Sequence, residues 1–207
     1  MILALEGALG PFSAALRSPD GAIERCAATQ GGDALERGLE IVAAVLGPAG
    51  FGPVRSIAVT VGPGAYTGLR IALSYAKSLA LARALPLVAL SSFDVVEAAE
   101  AELPSAAFIA GKKGFVHVRL RQATETATFS GPLSEAEDWI VAALPGGSSA
   151  TCFGAAQGTL ARLGERGLNV RTLPEETVPA ALTLARRAFA HDPLPDAHAL
   201  RADYGAA

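Results

Sequence analysis

Residues 57–84 read as strand, glycine turn and helix in immediate succession, and no other stretch restricts the fold as much. Ile57 to Val61 is a short β-branched run bounded by turn residues, the pattern of a buried strand. Gly62–Pro63–Gly64 ends any regular ladder, because glycine tolerates positive φ and proline fixes its own. From Thr67 to Ala84 there is no proline and an abundance of Ala and Leu, which predicts a helix with Thr67 as its N-cap. Strand, turn and helix N-terminus in that order can bind an anion. The same order is also how α/β units simply connect, and both readings stand at this point.

Motif spacing narrows the choice of chemistry. A phosphate-binding GxxxxGK[ST] loop needs a lysine after its second glycine, but counting from Gly62 the sixth residue is Thr67 and the seventh Gly68, with no lysine after it. GxGxxG fails because Thr67 occupies its third glycine slot. Ser74-x-x-Lys77 has the spacing of serine β-lactam enzymes, yet it falls in mid-helix and no Ser-Asp-Asn or Lys-Thr-Gly follows. His117, His191 and His198 form no HxxxH or HExxH pair, so metallopeptidase chemistry finds no support, and dispersed surface or cap positions are expected for them.

The elements around this stretch repeat in order. Met1–Leu5, Pro11–Leu16 and Ala22–Ala28 read as strands separated by turn residues. Asp33 with Glu36 has capping-box spacing, and Leu35, Leu39, Val42 and Leu46 follow at helical intervals before Gly47–Pro48. After the 56–61 strand and the 67–84 helix comes a strand at Leu87–Leu90. The second half offers strands at 106–110, 115–121 and 125–129, a helix at 134–144 opened by Ser134 with Glu137, a strand at 150–153, a helix at 157–166, a strand at 169–173 and a last helix at 178–191. Two β-β-β-α-β-α-β runs predict an α/β protein of two ribonuclease-H-like, actin-like (ASKHA) lobes, 1–102 and a smaller 103–207, with the C-terminal tail a candidate to pack back on the first.

Composition excludes some partners. Hydrophobic residues make up 51% and charged ones 18%, with mean hydropathy +0.35, but no apolar run reaches the ~18 residues of a membrane span. Met1–Glu6 lacks the basic start of a signal peptide, so a cytoplasmic chain without a membrane is expected. A net charge of −3 argues against an independent nucleic-acid binder. Lys112–Lys113 with Arg119 and Arg121 is the notable basic cluster, read either as a solvated hairpin or as a nucleic-acid contact within an assembly. Cys26 and Cys152, far apart and outside any CxxC, read as two buried thiols in a reducing compartment.

The 67–84 helix is apolar over a wide arc. On a helical wheel Arg70, Ser74, Lys77 and Ser78 take one narrow side, while Leu69, Leu73, Ala76, Ala80 and their neighbours cover the rest. The 35–46 helix is also apolar off its main stripe, at Ile41 and Val45. The two form either half of a bundle between subunits or a tight pair within the chain.

Gly62-Pro-Gly-Ala-Tyr-Thr-Gly-Leu-Arg-Ile-Ala-Leu-Ser-Tyr-Ala-Lys-Ser-Leu-Ala80 resembles the GPGSFTGLRIGLATAKGLA signature of the bacterial TsaB (YeaZ) family over about nineteen consecutive positions. Fainter likenesses run through the chain: Ile2–Glu6 to the family's LAIDTS, Leu90-Ser-Ser-Phe93 to SS-L, Gly111–Gly114 to DARRGEVY, and Ala199-Leu-Arg201 to YLR. The departures are chemical. Glu6–Gly7–Ala8 stands where the family has Asp-Thr-Ser, Gly32–Asp33 where its helix often opens His-Ser-Glu, and Ala110 where DARRGEVY has its aspartate. In actin-like ATPases those lost groups face phosphate and metal.

The resemblance implies a non-catalytic scaffold subunit rather than an enzyme. Such a subunit pairs with a TsaD-like threonylcarbamoyltransferase, and with a TsaE-like ATPase, to modify the tRNA adenosine beside the anticodon. It implies no cofactor of the chain's own; ATP and threonylcarbamoyl-adenylate would sit at the partner subunits, and tRNA would be touched only indirectly. It tips the helix argument toward an interface at Gly62, Pro63, Gly64, Thr67, Gly68, Leu69, Arg70, Leu73, Ala76, Lys77 and Ala80. The alternatives are an active kinase or ATPase of the same fold, using Glu6 for Mg²⁺ and the 62–64 turn for phosphate, or a homodimeric scaffold unrelated to tRNA.

Overall fold

The computed structural model describes residues 1–29, 34–97, 102–172, 179–196 and 200–205. The chain divides into two compact units, Met1–Val95 with Thr177–Tyr204, and Val96–Glu176 with Gly205–Ala207. The division expected from the sequence was after residue 102, with the C-terminal tail a candidate to pack back on the first lobe.

In the first unit β1 (Ile2–Glu6), β2 (Ser13–Arg17), β3 (Glu24–Ala28), β4 (Ser56–Thr60) and β5 (Leu87–Leu90) form one sheet in the order β3-β2-β1-β4-β5. β1, β2 and β3 pair antiparallel, whereas β4 runs parallel to β1 and β5 parallel to β4. Helices cover both faces, so β1 and β4 read as continuous apolar runs rather than alternating ones. α1 (Ala34–Leu46) and α2 (Tyr66–Arg83) pack over Leu3, Leu5, Leu16, Ile57, Val59 and Leu87. α6 (Ala180–Ala188) covers the other face, over Ile2, Ala4, Ala15, Ala58 and Val88.

The second unit repeats the plan. β6 (Ser105–Ala110), β7 (Phe115–Arg121), β8 (Thr126–Pro132), β9 (Ser149–Phe153) and β10 (Asn169–Thr172) lie in the order β10-β9-β6-β7-β8, with the same alternation of antiparallel and parallel pairs. α4 (Leu133–Ala143) and α5 (Gln157–Glu165) pack on one face around Phe108, Leu120, Ile140 and Leu163. This is the two-lobed actin-like α/β fold read from the element order. A five-residue helix, α3 (Ser92–Val96), was not anticipated.

Several local expectations need correction. α2 begins at Tyr66 with Ala65 as N-cap and no side-chain cap, so Thr67 lies inside the helix. α4 is entered from Pro132, and Glu137 turns instead to α5, where Arg162 pairs with its carboxylate through bonds of 2.6–2.9 Å. Leu39 is 54% exposed, while Gly38, Val42, Val45 and Leu46 are buried. The cause is a close helix contact: a Cβ on Gly38 would stand 2.3 Å from the Tyr75 ring, so α1 turns its glycine to α2 and Leu39 outward. Cys26 is exposed because β3 is an edge strand, and only Cys152 is buried. His117 is buried, with Nδ1 2.9 Å from Ser130 Oγ, and His191 is exposed. Asp33, Ala199 and His198 lie outside the described residues.

Candidate functional site

The C-terminal end of β1 meets the glycine turn after β4, the place where an open α/β sheet offers a ligand site. Glu6 ends β1 and is fully buried. Its Oε1 accepts hydrogen bonds from the backbone N–H of Ala8 (2.6 Å) and Leu9 (3.0 Å) and from Thr60 Oγ1 (3.0 Å), while Oε2 is buried without a partner. Burial raises the carboxyl pKa, against the lowering pull of the Ala8, Thr60, Leu9 and Gly7 hydrogen bonds. The amides of the β1–β2 turn therefore point at a carboxyl oxygen that the chain itself supplies.

The glycine turn is closed in the same way. Ala65 N donates to Ala8 O at 2.8 Å, and a Cβ on Gly64 would stand 2.3 Å from that oxygen. Gly62 has φ +109°, and a Cβ there would stand 2.0 Å from Asp203 O. Gly68 presses on Gly7: a Cβ on Gly68 would lie 2.0 Å from Gly7 O. Main chain fills each approach, so the turn seats α2 against the sheet. Mg-ATP does not fit this arrangement. Gly7 and Ala8 carry no hydroxyl, and the Glu6 carboxyl is turned onto its own loop.

The residues singled out in the motif part company in space. Leu69, Leu73, Ala76 and Ala80 are buried against the first sheet, with Leu73 7% exposed. Gly62 and Pro63 are buried and Gly64 and Gly68 half-buried. Thr67 and Arg70 are exposed, and half-buried Lys77 donates from Nζ to Leu200 O at 2.8 Å. The wide apolar arc of α2 is thus shared between its own sheet and α1, through Tyr75 over Gly38. The outward faces of the pair carry Leu39 and Leu81, the latter 71% exposed. The basic cluster of the second unit also separates. Arg119 and Arg121 turn to buried Glu97, at 2.8 and 3.3 Å, leaving Lys112 and Lys113 exposed in the β6–β7 turn. Glu97 directly follows the unanticipated α3 and had no signal in the sequence pattern.

Fold and site together define an actin-like α/β protein in which the buried Glu6 carboxyl caps the turn that follows its own strand. The family model described as "TsaD: tRNA N6-adenosine threonylcarbamoyltransferase" matches residues 35–144, just over half of the 207-residue chain. A solved structure described as YeaZ from Pseudomonas aeruginosa is similar with TM-score 0.68 and 25% identity over 97% of each chain. Another, of an uncharacterized protein with similarity to peptidase YEAZ from the same organism, gives TM-score 0.67 and 24% identity, again over 97% of each chain. No curated protein matches. The chain belongs to the TsaD family. Among the described residues no helix is long and apolar enough to cross a membrane, and no three His, Cys, Asp or Glu side chains converge as metal ligands.

Proposed function

We propose that this chain is a non-catalytic cytoplasmic subunit of a tRNA-modifying assembly. It pairs with a TsaD-like threonylcarbamoyltransferase, alongside a TsaE-like ATPase, for N6-threonylcarbamoylation of the tRNA adenosine adjacent to the anticodon. The observation that carries the reading is Glu6. With its Oε1 on the Ala8 and Leu9 amides, the loop that would hold phosphate is already satisfied, and no hydroxyl at positions 7 and 8 remains to orient a metal. ATP and threonylcarbamoyl-adenylate are then held by the partners, and this chain holds the transferase in a competent arrangement. The exposed faces of α1 and α2, with Leu39 and Leu81, supply the pairing surface.

The test is reconstitution. The purified chain alone turns over no ATP and shows no calorimetric heat with Mg-ATP, while the TsaD-like subunit modifies tRNA only when the chain is added. Sustained ATP turnover by the isolated chain, abolished by Glu6→Ala, overturns the reading in favour of an active ATPase.

A further inference from the structure

A groove of about 220 Å³ opens on the α6 side of the first sheet, at the end where β1 and β4 begin. It lies at the other end of β4 from Gly62–Gly64 and on the opposite face from α1 and α2, apart from the surface assigned to pairing. Its floor is apolar, built from Ile2, Val88 and the last residue of α6, Ala188. Phe189, 38% exposed, and the exposed prolines Pro19 and Pro193 form the rim.

One part of the lining is polar. Arg55 stands exposed beside half-buried Ser56. Its Nη1 donates to Gly52 O at 2.9 Å and to Val54 O at 3.1 Å, which anchors the guanidinium and leaves the donors on Nη2 and Nε open. The Ser56 hydroxyl has no hydrogen-bond partner among the described residues. His191 adds an imidazole. Among the described residues no carboxylate lines the groove, and exposed Asp192, between His191 and Pro193, is not part of it.

This arrangement suits an anion joined to an apolar body. A guanidinium pairs with a planar carboxylate through two parallel N–H···O bonds, and inorganic phosphate would use that end while leaving the floor in water. Size sets a further limit. An apolar cavity of about 150 Å³ holds benzene, so this groove takes a ring with a short acid arm. Proline carries no N–H, so Pro19 and Pro193 offer an extended peptide no main-chain donor along the rim, which favours a free acid over a peptide terminus.

We propose that this groove binds a small free carboxylic acid, its carboxylate on Arg55 and Ser56 and its apolar body over Ile2, Val88 and Ala188 beside Phe189. The site is independent of the pairing surface, so its failure leaves the functional reading untouched.

NMR titration of the ¹⁵N-labelled full chain with 3-phenylpropionate tests this. A dissociation constant of about 1 mM is expected, ordinary for a ligand of about eleven non-hydrogen atoms, with the shifting amides grouped around Ile2, Ser56, Val88 and Phe189. The uncharged 3-phenylpropionamide, of the same shape, binds about tenfold or more weakly. Arg55→Gln weakens binding of the acid by about fivefold or more, and Phe189→Ala by about threefold or more. Melting curves show whether each variant stays folded, and the comparison of acid with amide on the wild-type chain decides if neither does. Absence of shifts at the groove up to about 20 mM acid overturns the proposal. So does an amide that binds as tightly as the acid, or unchanged affinity in either folded variant. Inorganic phosphate displacing the acid at equal concentration overturns it in favour of a simple anion site. A tetrapeptide ending in phenylalanine that binds about tenfold tighter than the acid overturns it in favour of a peptide terminus.

Discussion

Gly7 and Gly68 face each other main chain to main chain. A Cβ on either would come within 2.0–2.5 Å of the other's carbonyl oxygen. Through this contact the first turn of α2 sits directly on the end of β1, and the strand–turn–helix unit gains its fixed angle to the sheet.

Gly68→Ala therefore forces helix and loop apart, because backbone atoms cannot yield as a flexible side chain would. A loss of about 1–3 kcal/mol in unfolding free energy is expected, within the range for overpacked sites. Gly10→Ala, where nothing lies within 4 Å, serves as the control and stays near wild type. Urea unfolding of the two variants makes the comparison, and equal midpoints would refute the contact's role.

Glu6 governs a different part of the stability profile. Burial holds its carboxyl above the ordinary value of 4.5, so between 4.5 and the raised pKa the folded chain keeps a proton that the unfolded chain releases. Stability then falls as pH rises through that interval. Glu6→Gln keeps the Oε1 acceptor for Ala8, Leu9 and Thr60 but has no proton to lose, so its stability is flatter there. Unfolding of both proteins across a pH series from about 4 to 8 decides it, and parallel profiles would remove Glu6 as the cause.

Much of this was legible in the sequence, and the misreadings share a physical origin. The 57–84 unit was readable because β-branched residues, glycines and an Ala/Leu run mark strand, turn and helix locally. Leu39 was placed inside because pattern reading buries the largest apolar side chain, whereas the structure buries Gly38 to bring α1 close to Tyr75. Cys26 was placed inside because strand order, which makes β3 an edge, is not a local property. α3, with five residues, is too short to show a helical period. The Glu6–Thr60 bond spans 54 residues, so the turn capped by Glu6 appeared in the sequence only as missing hydroxyls.

A second carboxylate responds to acid with the opposite sign. Glu24 on β3 accepts from Arg186 of α6 and from Arg17 of β2, and those guanidinium groups lower its pKa to about 2. Its contribution is complete above the ordinary 4.5 and is lost as pH falls toward about 2. Glu24→Gln should remove that acid-dependent loss. Because the cluster is exposed, the difference between variant and wild type should shrink in about 1 M salt, where screening acts within about 3 Å. Unfolding between about pH 5 and 2 at low and high salt measures both effects, and a salt-independent difference would mean that Glu24 acts through packing.

The surface proposed for pairing separates cleanly from the residues that build it. Leu73 and Ala76 belong to the family signature but are buried, so Leu73→Glu or Ala76→Glu places a charge in the core and should unfold the chain at several kcal/mol. Neither variant reports on an interface. Leu39→Glu and Leu81→Glu put the same charge where the side chains already stand in solvent, and each should change stability by no more than about 0.5 kcal/mol. If the outward faces of α1 and α2 meet the transferase, desolvating that carboxylate opposes association and both variants lose co-purification while melting like wild type. Calorimetric melting and affinity capture on the TsaD-like subunit read the two effects separately. Wild-type capture by both folded variants would move the pairing surface to another face of the chain.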